Sequence, residues 1–405
     1  MRVLLATDLA APAVNGVVTS VWNLYDELKK NNIDVKILTL TTNKNSYVDG
    51  DIYYIKSLKT NIQKDAFVSF NYMDKLIGEL VDWKPDIVHT NCEFSTYSFA
   101  KKIAKKAGAP LIHTYHTMYE HYVKYVVSSD YLGKKILFPF LKFRLKSSDM
   151  IIAPTPKVKR SLIKHHLAKN IRVIPSGIDL SKFDDDVPEE TKLALRKKYA
   201  IPENKFIIGS LGRLGEEKNF SESLKVIKVL IDKGFDVYYL LVGDGNYTGE
   251  LKKQAEELGI KDRVVFTGMV DPKEVKNYYQ LFDIFLSSTI SETQGLTYIE
   301  ALVNGCALVV REDEAIENIV IDRVNGRIYK DLQGCINAIC QLIENPEKLK
   351  EYKANARKDR EKFGKYYFGQ SIIKEYYRLL NREEDYYHNY NWKDYYDEIR
   401  KFRRL

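Results

Sequence analysis

Cysteine is scarce in this chain of 405 residues: Cys92, Cys306, Cys335 and Cys340 are the whole set. Their spacing matches no metal-ligand pattern, so they read as reduced thiols of a cytoplasmic protein. There is no run of about 18 or more uncharged apolar residues, which excludes a membrane-spanning helix. The opening MRVLLATD is a short apolar stretch that turns polar, and it reads as a strand rather than a signal peptide. No short-period repeat occurs. The GK[ST] ending that would make a glycine-rich loop a Walker motif is missing. No Asp-x-Asp pair sits at a strand end in a position to hold a metal; Asp184 and Asp186 fall in a polar linker.

The length predicts two cores, and 45% apolar residues can fill them. The formal net charge of +8 is unevenly spread. Residues 1–175 carry 26 Lys/Arg against 15 Asp/Glu, and the remainder carries 37 against 40. The positive surplus therefore lies in the first half, where it could face nucleic acid, an anionic membrane or a phosphorylated substrate.

Strands and helices alternate. Arg2–Thr7, Asp34–Leu40, Asp86–His89 and Pro110–His113 read as strands, and an amphipathic helix spans Val17–Lys30. The pattern restarts after a polar stretch, Leu180–Pro202, with strands at Lys205–Gly209, Val237–Val242, Val264–Thr267, Ile284–Ser287 and Ala307–Val310 and a helix from about Phe220. Such alternation predicts two Rossmann-like, doubly wound parallel-sheet α/β domains facing a central cleft. The expected units are 1–177 and 178–365. The tyrosine-rich tail 366–405 is expected to be helical and to pack back on the first domain. In such sheets ligands bind at the carboxyl ends of strands.

Two segments suit a nucleotide sugar. Ser291–Gly305, SETQGLTYIEALVNG, places Glu292 and Glu300 eight positions apart. The start of an apolar helix between them offers free N–H groups and a dipole to phosphate. One acid could then meet sugar hydroxyls and the other ribose hydroxyls. Two glutamates at this spacing equally suit an ordinary helix with one buried and one exposed acid. The second segment, GSLGRLGEEKN at Gly209–Asn219, combines backbone freedom with Arg213 and Lys218, which could neutralise a diphosphate. Alone, it also reads as a solvated turn.

Together these motifs resemble the retaining glycosyltransferases of family 4, which have the GT-B fold. The resemblance runs end to end through NGVVTSV (Asn15–Val21), PSGID (Pro175–Asp179), GRLGEEKN, VGDG (Val242–Gly245), FTG (Phe266–Gly268) and SETQGLTYIEALVNG. Within the family, TYHTMYE (Thr114–Glu120) and REDEAIENIV (Arg311–Val320) look like the branch that glucosylates 1,2-diacylglycerol. The resemblance implies that Arg213 and Lys218 bind the donor diphosphate, Glu300 the ribose, and Glu292 the transferred sugar. Gln294, Gly295, Leu296 and Thr297 would add to the donor site, Gly268 and Met269 would lie beside the base, and Gly16 would admit the phosphate. His116 would contact the sugar and reacting centre. Asn15, Tyr115, Tyr119 and Glu120 would serve the acceptor. No cofactor and no metal are expected; the departing phosphate would take the acceptor proton during front-face transfer. The chain departs from the family pattern at Asn15-Gly16, where two glycines are common, at Asn91, where a second histidine is common, and at Cys306-Ala307-Leu308.

A lipid acceptor gives the basic first half a use. Lys134–Lys146, KKILFPFLKFRLK, carries Lys135, Lys142 and Lys146 on one helical side with apolar bulk opposite; Arg144 interrupts that apolar side and Pro139 is expected to break the helix. With Phe138 and the cations of Lys157–Arg172 it could form a face on anionic lipid, on the inner side of the cell membrane. A core-facing helix with a solvated side accounts for the same pattern. The leading expectation is glucose transfer from UDP-glucose to diacylglycerol. The alternatives are another envelope acceptor, or a GT-B sugar-nucleotide epimerase. Nucleic acid is not an expected partner, because no aromatic platform or binding motif accompanies the cations.

Overall fold

A computed structural model describes residues 1–9, 15–59, 67–119, 130–358 and 360–382. The first sheet has the strand order Ile171–Val173, Met150–Ala153, Leu111–Thr114, Ile87–Thr90, Arg2–Ala6, Asp34–Thr41, Ile52–Lys56, Tyr47–Asp49. Its neighbours run parallel except for the outermost pair, Tyr47–Asp49 against Ile52–Lys56. The second is wholly parallel, in the order Val264–Phe266, Val237–Val242, Phe206–Leu211, Ile284–Ser287, Ala307–Arg311, Gly326–Tyr329. Runs such as VYYLLV and IFLS are apolar without alternation because helices cover both faces of a parallel sheet. In each domain the chain winds outward from its first strand, then returns to that strand's other side. The two switch points lie beyond Arg2–Ala6 and Ile87–Thr90, and beyond Phe206–Leu211 and Ile284–Ser287.

The expected strands are present with ends moved by one or two residues. Pro139 does not break its helix, which runs through it from Asp130 to Leu145. A proline inside a helix costs about 3 kcal/mol. Here the burial of Leu141 and Leu145 in the turns that follow works against that loss, while Pro139 itself faces solvent.

The chain crosses between domains twice, side by side. Ile178 N–H donates to Phe363 O at 2.9 Å, and Lys365 N–H donates to Ile178 O at 2.7 Å. A Cβ on Gly177 would sit 2.6 Å from Gly364 O, so the crossing needs glycine there. After the second crossing, the helix Lys365–Leu379 lies on the first helix, Gly16–Lys30, with Gly369 against Glu27. Phe368, Ile372, Ile373 and Tyr376 join the core of the first domain. Tyr376 OH lies 2.6 Å from His89 Nδ1, and His89 Nε2 lies 2.7 Å from Thr114 Oγ1. Burial pushes the His89 imidazole down to about 3, so it is neutral at physiological pH.

Tyr376→Phe strips one ring nitrogen of a fully buried histidine of its partner. It should lower folding stability by about 1–3 kcal/mol. Urea unfolding would register this as a lower midpoint at an unchanged slope; an unchanged midpoint would show that the hydroxyl is dispensable for docking the helix.

Candidate active site

At the second domain's switch point, two loops are stapled together. Thr289 and Ser291 hydroxyls donate to Glu217 O at 3.2 and 3.0 Å, and Asn219 Nδ2 donates to Ser288 O at 3.3 Å. Lys218 Nζ thereby meets Glu292 Oε1 in a half-buried ion pair. Arg213 Nη2 donates to Glu217 Oε1 at 2.6 Å. A narrow pocket opens beside the first pair, lined by Lys218, Phe220, Ser287, Thr289, Glu292 and Thr297.

Gly295 starts the helix Leu296–Val303 at φ +73°, with no side-chain cap and no acid in the first turn. A Cβ there would lie 2.5 Å from the Tyr298 ring, so both conformation and space demand glycine. Glu300 stands one turn inside. Tyr279 OH donates to its Oε2 at 2.8 Å. Burial pushes its carboxyl up to about 7, partly opposed by the tyrosine bond and by Lys182. Across the cleft, the helix Gly16–Lys30 begins at Asn15, whose Oδ1 accepts from Val18 N–H at 3.0 Å. A Cβ on Gly16 would sit 3.5 Å from Leu296 Cδ1. The first residues of two helices, one from each domain, therefore lie side by side. A helix start carries the positive end of its dipole, which suits an anion. Gly268, at φ +72°, accepts from Gly243 N–H at 3.1 Å, and Met269 beside it is 71% exposed.

Glu292 and Lys218, expected to meet sugar and diphosphate, are paired with each other. One assignment within this set changes. Gln294, read as a donor contact, spends both ends of its amide on the opposite domain: Oε1 accepts from Ser176 N–H at 2.9 Å and Nε2 donates to Ser176 O at 2.8 Å. Its burial between domains explains this, because a buried amide must satisfy donor and acceptor together.

The first domain contributes a buried polar cluster of its own. His116 Nε2 lies 3.0 Å from Asn91 Oδ1, and burial with neighbouring His113 pushes its imidazole down to about 3. It is a neutral hydrogen-bonding group. His113 bridges Thr90 Oγ1 at 2.8 Å and Glu93 Oε1 at 3.1 Å, and Tyr119 OH donates to Glu93 Oε2. Tyr115 is a core residue, not an acceptor contact, because its ring fills the cluster under Leu141 and Leu145. Glu120 lies outside the described residues.

The expected basic face is only partly available. Lys135, Lys142 and Lys146 are exposed on the helix Asp130–Leu145, with Ile136 59% and Phe143 70% exposed. Arg144 instead turns to Ser98 Oγ and lies over the Phe140 ring, and Phe138 stacks on His165 at 3.8 Å; packing against neighbouring helices removes both from a lipid-facing role. Lys157, Arg160 and Arg172 pair with Asp313, with Glu314 and Glu317, and with Glu375. Acids brought near by the fold neutralise these cations, and they leave the face. Reading the sequence missed Glu217, Tyr279, Thr155 and Ser176 as partners of the site. The one available signal was Thr155-Pro156, a helix cap and first-turn proline placed directly after a strand end.

Comparison with known proteins places these observations. The profile described as Glycosyltransferase Family 4 matches residues 14–182. The profile described as Glycosyl transferases group 1 matches residues 191–359. The chain is 35% identical to an alpha-monoglucosyldiacylglycerol synthase of Streptococcus pneumoniae over 86% of its own length and 79% of the relative's. It is 27% identical to the Acholeplasma laidlawii enzyme of the same name, over 94% and 98%. Among solved structures, Anabaena Alr3699/HepE in complex with UDP superposes with a TM-score of 0.73 at 17% identity, over 93% of this chain and 99% of that one. Sucrose-phosphate synthase from Thermosynechococcus elongatus gives 0.73 at 18%, over 94% and 99%.

The raised carboxyl of Glu300 makes stability depend on pH. Its ordinary value is 4.5 and its folded value about 7, so between these the folded chain holds a proton that the unfolded chain has lost. Its contribution therefore falls as pH rises through that window, and the loss is complete above it. Glu300→Gln should be flatter than the wild type between these limits in denaturant titrations. Parallel curves would mean that the carboxylate is ionised throughout.

Proposed function

The chain belongs to glycosyltransferase family 4 and has the GT-B fold, and from that premise we propose that it moves glucose from UDP-glucose to 1,2-diacylglycerol with retention of configuration. The observation that carries the donor half is the pairing of Lys218 with Glu292 at the second domain's switch point, beside the uncapped start of the helix that carries Glu300. The name shared by the two relatives supports the acceptor half.

In this reading the diphosphate lies where Gly16 meets Leu296. Lys218 releases Glu292 for the phosphate, and Arg213 adds its guanidinium. The freed Glu292 carboxylate then meets sugar hydroxyls. Glu300 accepts hydrogen bonds from the ribose. Neutral His116 contacts the sugar without adding positive charge beside the forming oxocarbenium. The bond from the anomeric carbon to the phosphate oxygen breaks while the bond to the acceptor oxygen forms on the same face. The acceptor proton passes to the departing phosphate oxygen, so product lipid and UDP account for every atom. Fixed cations and helix dipoles stabilise the growing phosphate charge, and no metal or other cofactor is required in this scheme. Exposed Lys135, Lys142 and Lys146, beside Ile136 and Phe143, would hold the first domain on the anionic inner face of the cell membrane, where the acceptor resides. Among the described residues no helix is long and apolar enough to cross a membrane.

Labelled UDP-glucose with diacylglycerol in mixed micelles tests the scheme. A monoglycosyl lipid should form, faster with anionic lipid and undiminished by EDTA. UDP release without that lipid would redirect the acceptor, and loss of activity in EDTA would overturn metal independence. Glu300→Ala should cut donor kcat/KM by about 10- to 100-fold, with weaker UDP binding in calorimetry. Normal UDP affinity in that variant would remove Glu300 from the ribose.

A further inference from the structure

The loop that carries Glu292 is fastened to the other domain at four of its residues, Ile290, Glu292, Thr293 and Gln294. Lys157 Nζ donates to Ile290 O and to Glu292 O, each at 3.1 Å. Thr155 Oγ1 donates to Thr293 O at 2.8 Å, and Gln294 clasps the Ser176 backbone. Lys157 also pairs with both carboxylate oxygens of Asp313, at 2.7 and 2.8 Å. Its side chain is 12% exposed and that of Asp313 6%. An ammonium has three protons, and here four acceptors surround it, so none is left over for a substrate. A buried, fully partnered charge is strongly directional, and removing it strands its partners.

We propose that Lys157 is a positioning residue for Glu292. It reaches from the first domain to hold the backbone on which that acid stands, so the donor site has its working geometry only while the two domains are apposed. This rests on the reading of Glu292 as a contact to the transferred sugar. Lys157 touches no substrate in this account. The nucleotide, held in that reading by Lys218, Glu300 and the helix start at Gly16, makes no contact with it.

Lys157→Met keeps the stem and removes the charge. In the full-length enzyme it should lower kcat/KM for UDP-glucose by about 10- to 100-fold, the scale of an ångström-sized misplacement, while UDP affinity stays within about threefold. In a Glu292→Gln background the same substitution should change kcat/KM by less than about threefold, because the group it positions is gone. Amide exchange should accelerate in residues 288–296 and remain unchanged in the rest of the second domain. The proposal is overturned if Lys157→Met leaves kcat/KM within about twofold of wild type, if it costs the same factor in both backgrounds, or if loop exchange does not change. Should Lys157→Met fail to fold, Thr155→Val removes the neighbouring bond to Thr293 O and should shift the same readouts in the same direction. If wild-type enzyme turns over no UDP-glucose, the substrate assignment fails, and the exchange comparison still decides the role of Lys157.

Discussion

Two short backbone hydrogen bonds at Ile178 govern the relation between the halves of this molecule. They join the outgoing and returning crossings into one ribbon, and Gly177 against Gly364 lets the strands of that ribbon touch. Lys365 reinforces it by pairing with Asp179 from one crossing and Asp26 from the first domain. Because the chain returns, its last described helix completes the core of the domain in which the chain began. The cleft is therefore bounded by two bodies that share a covalent and a hydrogen-bonded axle, which fixes which loops face each other.

At the cleft, charge is balanced by internal pairing. Arg213 holds Glu217, Lys218 holds Glu292, and Lys157 holds Asp313. Taking such groups out of water singly would be expensive, whereas in pairs the cost is largely offset. In the proposed scheme such a pair is ready to exchange partners: an anion arriving near Lys218 would free a carboxylate within the same pocket. Glu300 is managed differently. It is buried beside a tyrosine hydroxyl and far from full compensation, and its carboxyl is pushed up to about 7 as a result.

Much of the architecture was legible because parallel strands and their covering helices leave strong one-dimensional signals. VYYLLV, IFLS and the restart after Asp179 are examples, as is the glycine before LTYIEALV. Strands such as Tyr47–Asp49 and Ile171–Val173 went unseen because they are only three residues long and lie at the sheet edges. Pairing partners were not legible at all. Lys157 and Arg160 looked like members of a solvated basic face, since nothing local reveals that Asp313, Glu314 and Glu317 arrive from more than 150 positions away. Gln294 was misread for the same reason: its neighbours in sequence belong to the donor loop, while its hydrogen bonds cross to Ser176. Tyr115 failed through periodicity, because a residue just past a strand end can point into the core as readily as into the cleft.

The contact between Gly16 and Leu296 has a mechanical meaning beyond anion binding. The two positive helix ends belong to separate bodies and would repel each other when the space between them holds no counter-charge. In the proposed scheme a diphosphate there would act as an adhesive. Its affinity would then contain the free energy of drawing the bodies together, and its departure would loosen the same joint. Linkage makes this reciprocal: any surface that gripped one body and altered its freedom to approach the other would change nucleotide affinity by the same factor as the nucleotide changed adhesion to that surface.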